Sequence, residues 1–312
     1  MLNGFKKLQL LSAAVAVGFF ACSPGDTQTS TQMTPAAEAQ SSAAATSIPR
    51  MPDGKPDLNG IWQVLSNANN NLEPAPPKSA FAMVPGDFVP VPAPEVVAMG
   101  AVGAVPASQG VITTNDGYIP YKPEALAQRD ENRENWLARD PEIKCFMPGV
   151  PRATYQPYPF QIFQAPDATL ITYQFAGADR IVHMDRPELE AQVDSWMGHN
   201  NGTWDGDTLV IDVTGQMPDT WFDRSGNYHS GWDMHVQERY TMLDRNTIQY
   251  QATVNDPNVY ERPWTISMHL YRHQDENMKL LEYKCVEFVE ELMYGHLRAP
   301  GSPIGDGITP IN

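Results

Sequence analysis

The sequence predicts a mainly β fold: an antiparallel up-and-down meander of about eight to ten strands closing into a barrel, with one or two short helices. Three observations carry this. After Cys145 the chain becomes a series of short β-branched and aromatic runs. Turn residues separate the runs, and the links are so short that consecutive strands must be antiparallel neighbours. A meander of this length removes its exposed edges by closing on itself. A two-sheet sandwich is the alternative.

Taken in chain order, the first element is a targeting segment. Lys6 and Lys7 precede an uncharged run, Leu8 to Ala21, whose apolar core is far shorter than the roughly 20 residues of a membrane-spanning helix. Residues 1–21 therefore read as a signal peptide. Phe19-Phe20-Ala21-Cys22 resembles a bacterial lipobox, in which Cys22 is lipidated and becomes the new first residue; Phe19 departs from the usual aliphatic residue, so ordinary cleavage is the alternative. The next segment, 22–52, is rich in Ser, Thr, Ala and Gln and reads as a disordered stalk, because it cannot bury enough apolar surface to offset its ordering entropy. Ser23 resembles the sorting signature of lipoproteins sent to the outer membrane, the inner membrane being the alternative. The expected location is the cell envelope, facing the periplasm, with the bilayer as a partner through the Cys22 anchor.

A single β-rich domain is expected over 53–290, with a Pro-rich insert at 74–120 and a C-terminal tail at 291–312. Gly60-Ile61-Trp62 sits on an opening strand and resembles the first strand of lipocalin-like barrels. Pro123 starts a helix running to about Arg139, with Leu126 and Leu137 marking a thin apolar face. Strands are expected at Phe160–Gln164, Thr169–Phe175, Arg180–Met184, Trp196–Trp204, Thr208–Thr214, Met234–Leu243, Thr247–Asn255, Trp264–Arg272 and Lys279–Val286.

Charge narrows the function classes. Removing residues 1–21 takes away Lys6 and Lys7 and moves the formal charge from −16 to −18. So acidic a chain is repelled by phosphate backbones, and no basic stripe offsets this, so nucleic acid is not an expected partner. If Cys22 carries lipid, Cys145 and Cys285 remain as an even pair in an oxidising compartment, and a disulfide between them is the natural reading. Two buried free thiols are the alternative. Motifs for nucleotide binding, serine hydrolysis and thioredoxin chemistry are absent from the sequence.

Two groups of residues point to acid–base chemistry. Reading Asp205-Gly206 as the two-residue turn of a hairpin sets Thr203 against Thr208, Asn201 against Val210 and His199 against Asp212. A histidine held by a carboxylate has a fixed tautomer and suits proton transfer, although the pair would equally serve to pin strand register. In the second group, Val236, Glu238, Tyr240 and Met242 share one strand face and His235, Gln237 and Arg239 the other. If the apolar face is the interior, Glu238 points inward, where it is either an acid of raised proton affinity or the partner of Arg180 or Arg152. His229 and His235, with Glu238 nearby in sequence, form a candidate ligand set for a divalent metal, though their spacing is not a known metal motif. The candidate catalytic residues are thus His199, Asp212, His235 and Glu238. His229, Trp232, Tyr240, Trp196 and Arg152 are candidates for the ligand site. His183, His269 and His273 read as ordinary strand or turn histidines.

From Cys145 to Cys285 the chain resembles a group of exported bacterial proteins. The resemblance rests on Pro148-Gly149-Val150-Pro151-Arg152, Pro157-Tyr158-Pro159-Phe160-Gln161-Ile162, Trp196-Met197-Gly198-His199, the run Gly202 to Asp212, and His235-Val236-Gln237-Glu238-Arg239-Tyr240. The group's pattern has Ser after the first histidine, where this chain has Asn200. The resemblance implies export and names no reaction. The leading functional expectation is an envelope-anchored enzyme whose barrel binds a small apolar or aromatic molecule and acts on it by His/carboxylate chemistry, as a hydratase, isomerase, lyase or hydrolase. A non-catalytic lipocalin-like carrier is the rival, and a scaffold for an envelope complex the third reading.

Overall fold

Alternating burial along most of the long strands builds the architecture. The computed structural model describes residues 47–79, 83–92, 104–186, 190–231, 233–283 and 285–286. Every described residue lies within one compact unit, 43–312. The expected signal peptide, Cys22, most of the stalk and the tail lie outside the described residues, as does Trp232. Among the described residues no helix is long and apolar enough to cross a membrane.

Nine strands form a closed barrel: β1 (Gly60–Val64), β2 (Phe160–Gln164), β3 (Ala168–Tyr173), β4 (Asp179–Met184), β5 (His199–Asp205), β6 (Thr208–Thr214), β7 (His235–Asp244), β8 (Thr247–Asn255) and β9 (Trp264–Arg272). Each strand pairs with the next in sequence, and β1 closes the ring by pairing with both β2 and β9. This is the expected mainly β, lipocalin-like meander, with one departure. A closed ring with an odd number of strands cannot alternate direction throughout, so one neighbouring pair must run the same way. That pair is β4 and β5, which are parallel over Val182–Asn200, His183–Asn201 and Met184–Gly202. Their link, 185–198, is the long one that a parallel crossing requires. Gly202 lets the two strands approach, since a Cβ there would lie 2.5 Å from Met184 Sδ.

The inward positions are filled. Trp62, Phe160, Tyr173, Tyr240, Tyr250 and Trp264 are buried and pack with Val236, Ile248, Val254 and Ile266 in one apolar core. Their burial is the main term favouring the fold, at about 1.5–3 kcal/mol for each large apolar side chain.

Three expectations shift in detail. The helix is α1 (Pro123–Glu134) followed, after a break at Asn135, by a single turn, α2 (Trp136–Arg139). Its buried face is Ala125 and Asn132, whereas Leu126 is exposed; the small residues allow close approach to the 226–228 loop, where Asn132 Nδ2 donates to the Gly226 carbonyl. The insert forms two short ribbons, Lys78–Ser79 with Ala104–Val105 and Met83–Val84 with Val91–Pro92, and then runs beside β9 through the bridge Ile112–Ile266. The strand expected at Lys279–Val286 does not form among its described residues. The barrel is already closed by β1 and β9, so no edge is left to pair with. The segment docks by side chains instead: Tyr283 packs on Tyr158 and Phe175, and Cys285 forms a disulfide with Cys145.

Candidate functional site

The β5–β6 hairpin decides which residue receives Asp212, and its register differs from the expected one. The strands pair Asp205–Thr208, Trp204–Leu209 and Asn201–Asp212, so the turn residues are Gly206 and Asp207. Gly206 has φ +61° and stands first, the arrangement of a Gly-first hairpin, rather than second as in an Asp-Gly turn. The two-residue shift preserves the faces and changes the partners. His199 lies opposite Thr214, and the expected His199–Asp212 pair does not form. Asp212 instead accepts from His235 Nε2 at 2.9 Å and from Gln237 Nε2 at 3.1 Å on the outer face. His235 and Asp212 are 40% and 39% exposed, so water screens the pair.

The second expected acid–base unit also separates. Glu238 points inward, as alternation implies, and is wholly buried. It binds Arg180 through Nη1 at 2.5 Å and Nη2 at 3.1 Å, and accepts from the hydroxyls of Tyr240 at 3.0 Å and Tyr250 at 2.7 Å. Both its oxygens are thus engaged, tying β4 to β7 and β8 inside the barrel. Burial alone would lower the proton affinity of Arg180, but Glu238, Tyr173 and Tyr240 more than offset it and hold the guanidinium charged. His235 stands on the opposite face. His229 is buried against Phe222, shares a 2.7 Å hydrogen bond between Nε2 and Thr220 Oγ1, and is driven by burial to a pKa of about 3. The imidazoles of His229 and His235 thus have separate partners. Among the described residues no group of three or more His, Cys, Asp or Glu side chains is arranged to hold a metal ion.

Besides His229, two further ligand-site candidates are internal. Tyr240 belongs to the Glu238 network. Arg152 is the centre of a buried polar cluster: it donates to Asp140 at 2.9 and 3.0 Å, to Glu142 at 2.6 Å and to Asn69 at 2.8 Å. Burial pushes Glu142 up, but Arg224 and Arg152 overcome it and bring the carboxyl to about 2. Asp223, in the same buried region, is pushed up by burial to about 6 even though it accepts from Asn227 and the Leu72 amide.

What the parallel seam creates is a cleft in the barrel wall. β4 begins at Asp179, but its pairing with β5 starts only at Val182. The preceding Ser195–Gly198 segment leaves β4 because Ser195 pairs with the chain after β6: its amide donates to Gly215 and its carbonyl accepts from Met217. Between the two lies a hollow of about 550 Å³, the size range of a small-molecule site. Met147, Leu170, Ile181, Trp196 and Met197 supply its apolar walls, and Asp179, Arg180, His183, Ser195, His199 and Asn200 its polar ones. A second hollow of about 530 Å³ adjoins it and shares Ser195, Gly198 and His199.

The polar groups of the cleft are linked to the interior. Asn200 donates to the carbonyls of Met197 at 3.1 Å and Gly198 at 2.9 Å, and accepts from Arg180 Nη1 at 2.9 Å. Its amide spans both partners at once, where a serine hydroxyl would be shorter. His199 and His183 stack at 5.5 Å between ring centroids, with 25° between planes, and Trp196 lies 4.8 Å from Phe146. Of the six buried side-chain nitrogens without a hydrogen-bond partner among the described residues, two belong to residues that line this cleft: His199 Nε2 and Arg180 Nε. Each such group costs about 1–3 kcal/mol, more when charged. Of the sequence-derived candidates, His199 and Trp196 come together here. Arg180, weighed only as a partner of Glu238, and His183, read as an ordinary strand histidine, join them.

Compared with protein-family models, with curated proteins and with solved structures, the chain matches none.

Proposed function

We propose that the protein holds a small, partly apolar molecule in the cleft between β4 and β5 and moves a proton on it through His199. The observation that carries this reading is His199 itself. Its Nε2 is buried without a partner, its ring is held by stacking on His183, and it lines a cleft walled by Trp196. A histidine both donates and accepts near neutral pH, which suits hydration, dehydration, isomerisation or hydrolysis alike. The N-terminal pattern supports an exported protein tethered to the envelope through Cys22, so the ligand would arrive from the periplasmic side.

A second reading, a carrier without chemistry, is favoured by one observation: Asp212 goes to His235, so the carboxylate expected beside His199 is engaged elsewhere. Turnover separates the two. Against a panel of model substrates for the four reaction types, His199→Gln should lower the rate by about a hundredfold or more, while Asp212→Asn leaves it unchanged. Full turnover in His199→Gln would overturn the catalytic role. Retained ligand binding with no turnover in the wild type would make the protein a carrier.

A further inference from the structure

We infer that the cleft selects an uncharged carbonyl compound with an apolar body, its oxygen accepting a hydrogen bond from Arg180 Nε; this rests on the cleft being the small-molecule site proposed above. A guanidinium has five N–H groups. Both hydrogens of Nη1 are used, on Asn200 and Glu238, and both of Nη2, on Glu238 and Tyr240. The fifth, on Nε, has no partner, and Arg180 lines the cleft. This nitrogen cannot lose its proton to become an acceptor, so what it calls for is an acceptor atom.

Charge decides which kind. Glu238 already neutralises Arg180 through a two-pronged ion pair, leaving no surplus positive charge there. The whole chain carries −16. A ligand carboxylate brought to Nε would be desolvated near Glu238 without a cation of its own, which is costly. A ketone, ester or amide oxygen satisfies the donor and brings no charge. His199 Nε2 is available to a second polar group on the same ligand, either as donor or as acceptor.

The walls fit this chemistry. Leu170, Ile181 and Trp196 present apolar surface to the ligand body. Both unpartnered nitrogens are buried, so a ligand reaches them only by moving side chains that line the cleft.

Three probes of one shape test the inference: acetophenone, ethylbenzene and benzoate, titrated by ligand-observed NMR against the full chain and against Leu170→Trp, which fills the cleft from a partly exposed wall position. The expected result is that acetophenone binds at least about tenfold more tightly than the other two, and that Leu170→Trp abolishes this. Benzoate binding as tightly as acetophenone would overturn the uncharged class. Equal binding of ethylbenzene would overturn carbonyl recognition while leaving the cleft as a ligand site. If no probe binds, or binding survives Leu170→Trp, the inference falls and the cleft reading falls with it.

Discussion

Replacing Glu238 by glutamine keeps the shape of the side chain and removes its charge, leaving Arg180 charged and buried in the barrel. Arg180 and Glu238 have side-chain exposures of 1% and 0%, so water cannot take over from the lost partner. Removing one member of such a pair costs about 3–5 kcal/mol, most of it the penalty of an uncompensated buried charge. The Tyr240 and Tyr250 hydroxyls, which both donate to Oε1, keep an acceptor in the amide oxygen only if the amide nitrogen turns toward Arg180, where it meets donors with donors. The loss should therefore fall in the upper part of that range. Urea unfolding followed by near-ultraviolet circular dichroism reads it as a midpoint lowered by more than about 1 M, taking a slope of about 3 kcal/mol/M. Arg180→Met should lose a comparable amount. The double variant should lose at least about 2 kcal/mol less than the two singles summed, because neither charge is then stranded. A loss under about 1 kcal/mol in Glu238→Gln, or strict additivity in the double variant, would refute the reasoning.

Other perturbations have outcomes of definite sign. His229 sits at about 3 when folded against 6.5 ordinarily, so the unfolded chain takes up its proton first; this stability is complete above pH 6.5 and is lost as pH falls toward 3. Asp223 sits at about 6 against 3.8, so its contribution has the opposite sign: complete below pH 3.8 and lost as pH rises through 6. Between about pH 5 and 6, above the range in which Glu142 adds a rise of its own, the two slopes oppose each other. Unfolding measured across that window should be nearly flat in the wild type and should fall with rising pH in His229→Gln; a rise with pH in that variant would contradict the assignment. Reducing the Cys145–Cys285 bridge, which spans 140 residues, should cost at most about 5 kcal/mol on the loop-entropy estimate, and an unchanged urea midpoint under reductant would show that the bridge contributes nothing. Asp212→Asn should change stability by less than about 1 kcal/mol, since its pair with His235 is half exposed, and a larger loss would mean that the outer-face pair has been undervalued. Cys22→Ser should release the protein from membranes on fractionation, and a variant that stays with the membrane would contradict the acyl anchor.

The strands were legible wherever a period of two met clear turn residues. Phe160–Gln164, Thr208–Thr214, Thr247–Asn255 and Trp264–Arg272 match their expected limits. Inward placement of Glu238 followed from the same alternation. The hairpin register did not, because Asp205-Gly206-Asp207 accommodates two turns offset by one residue, which moves each cross-strand partner by two and keeps the same residues inside. Hydrophobic patterning cannot separate registers two apart. The parallel β4–β5 seam was hidden for a different reason: it joins segments on either side of a long link, and local sequence carries no signal for which way the second strand will run. His183 was passed over as a consequence, since only that seam brings it onto His199. A parity argument would have exposed the seam once the strand count was known to be nine. The strand expected after Lys279 had a suitable composition, but closure between β1 and β9 left it no edge, and composition does not report closure.

The central claim is that the cleft beside His199, rather than any other hollow, receives the ligand. The most direct measurement is to map chemical-shift changes from a library of small neutral aromatic fragments onto assigned side-chain resonances. The changes should concentrate on the Trp196 indole, the His183 and His199 imidazoles and the Met197 methyl group. Concentration instead on the groove of about 540 Å³ bounded by Leu65, Pro106, Val111 and Arg224 would contradict this reading and move the functional site to that groove.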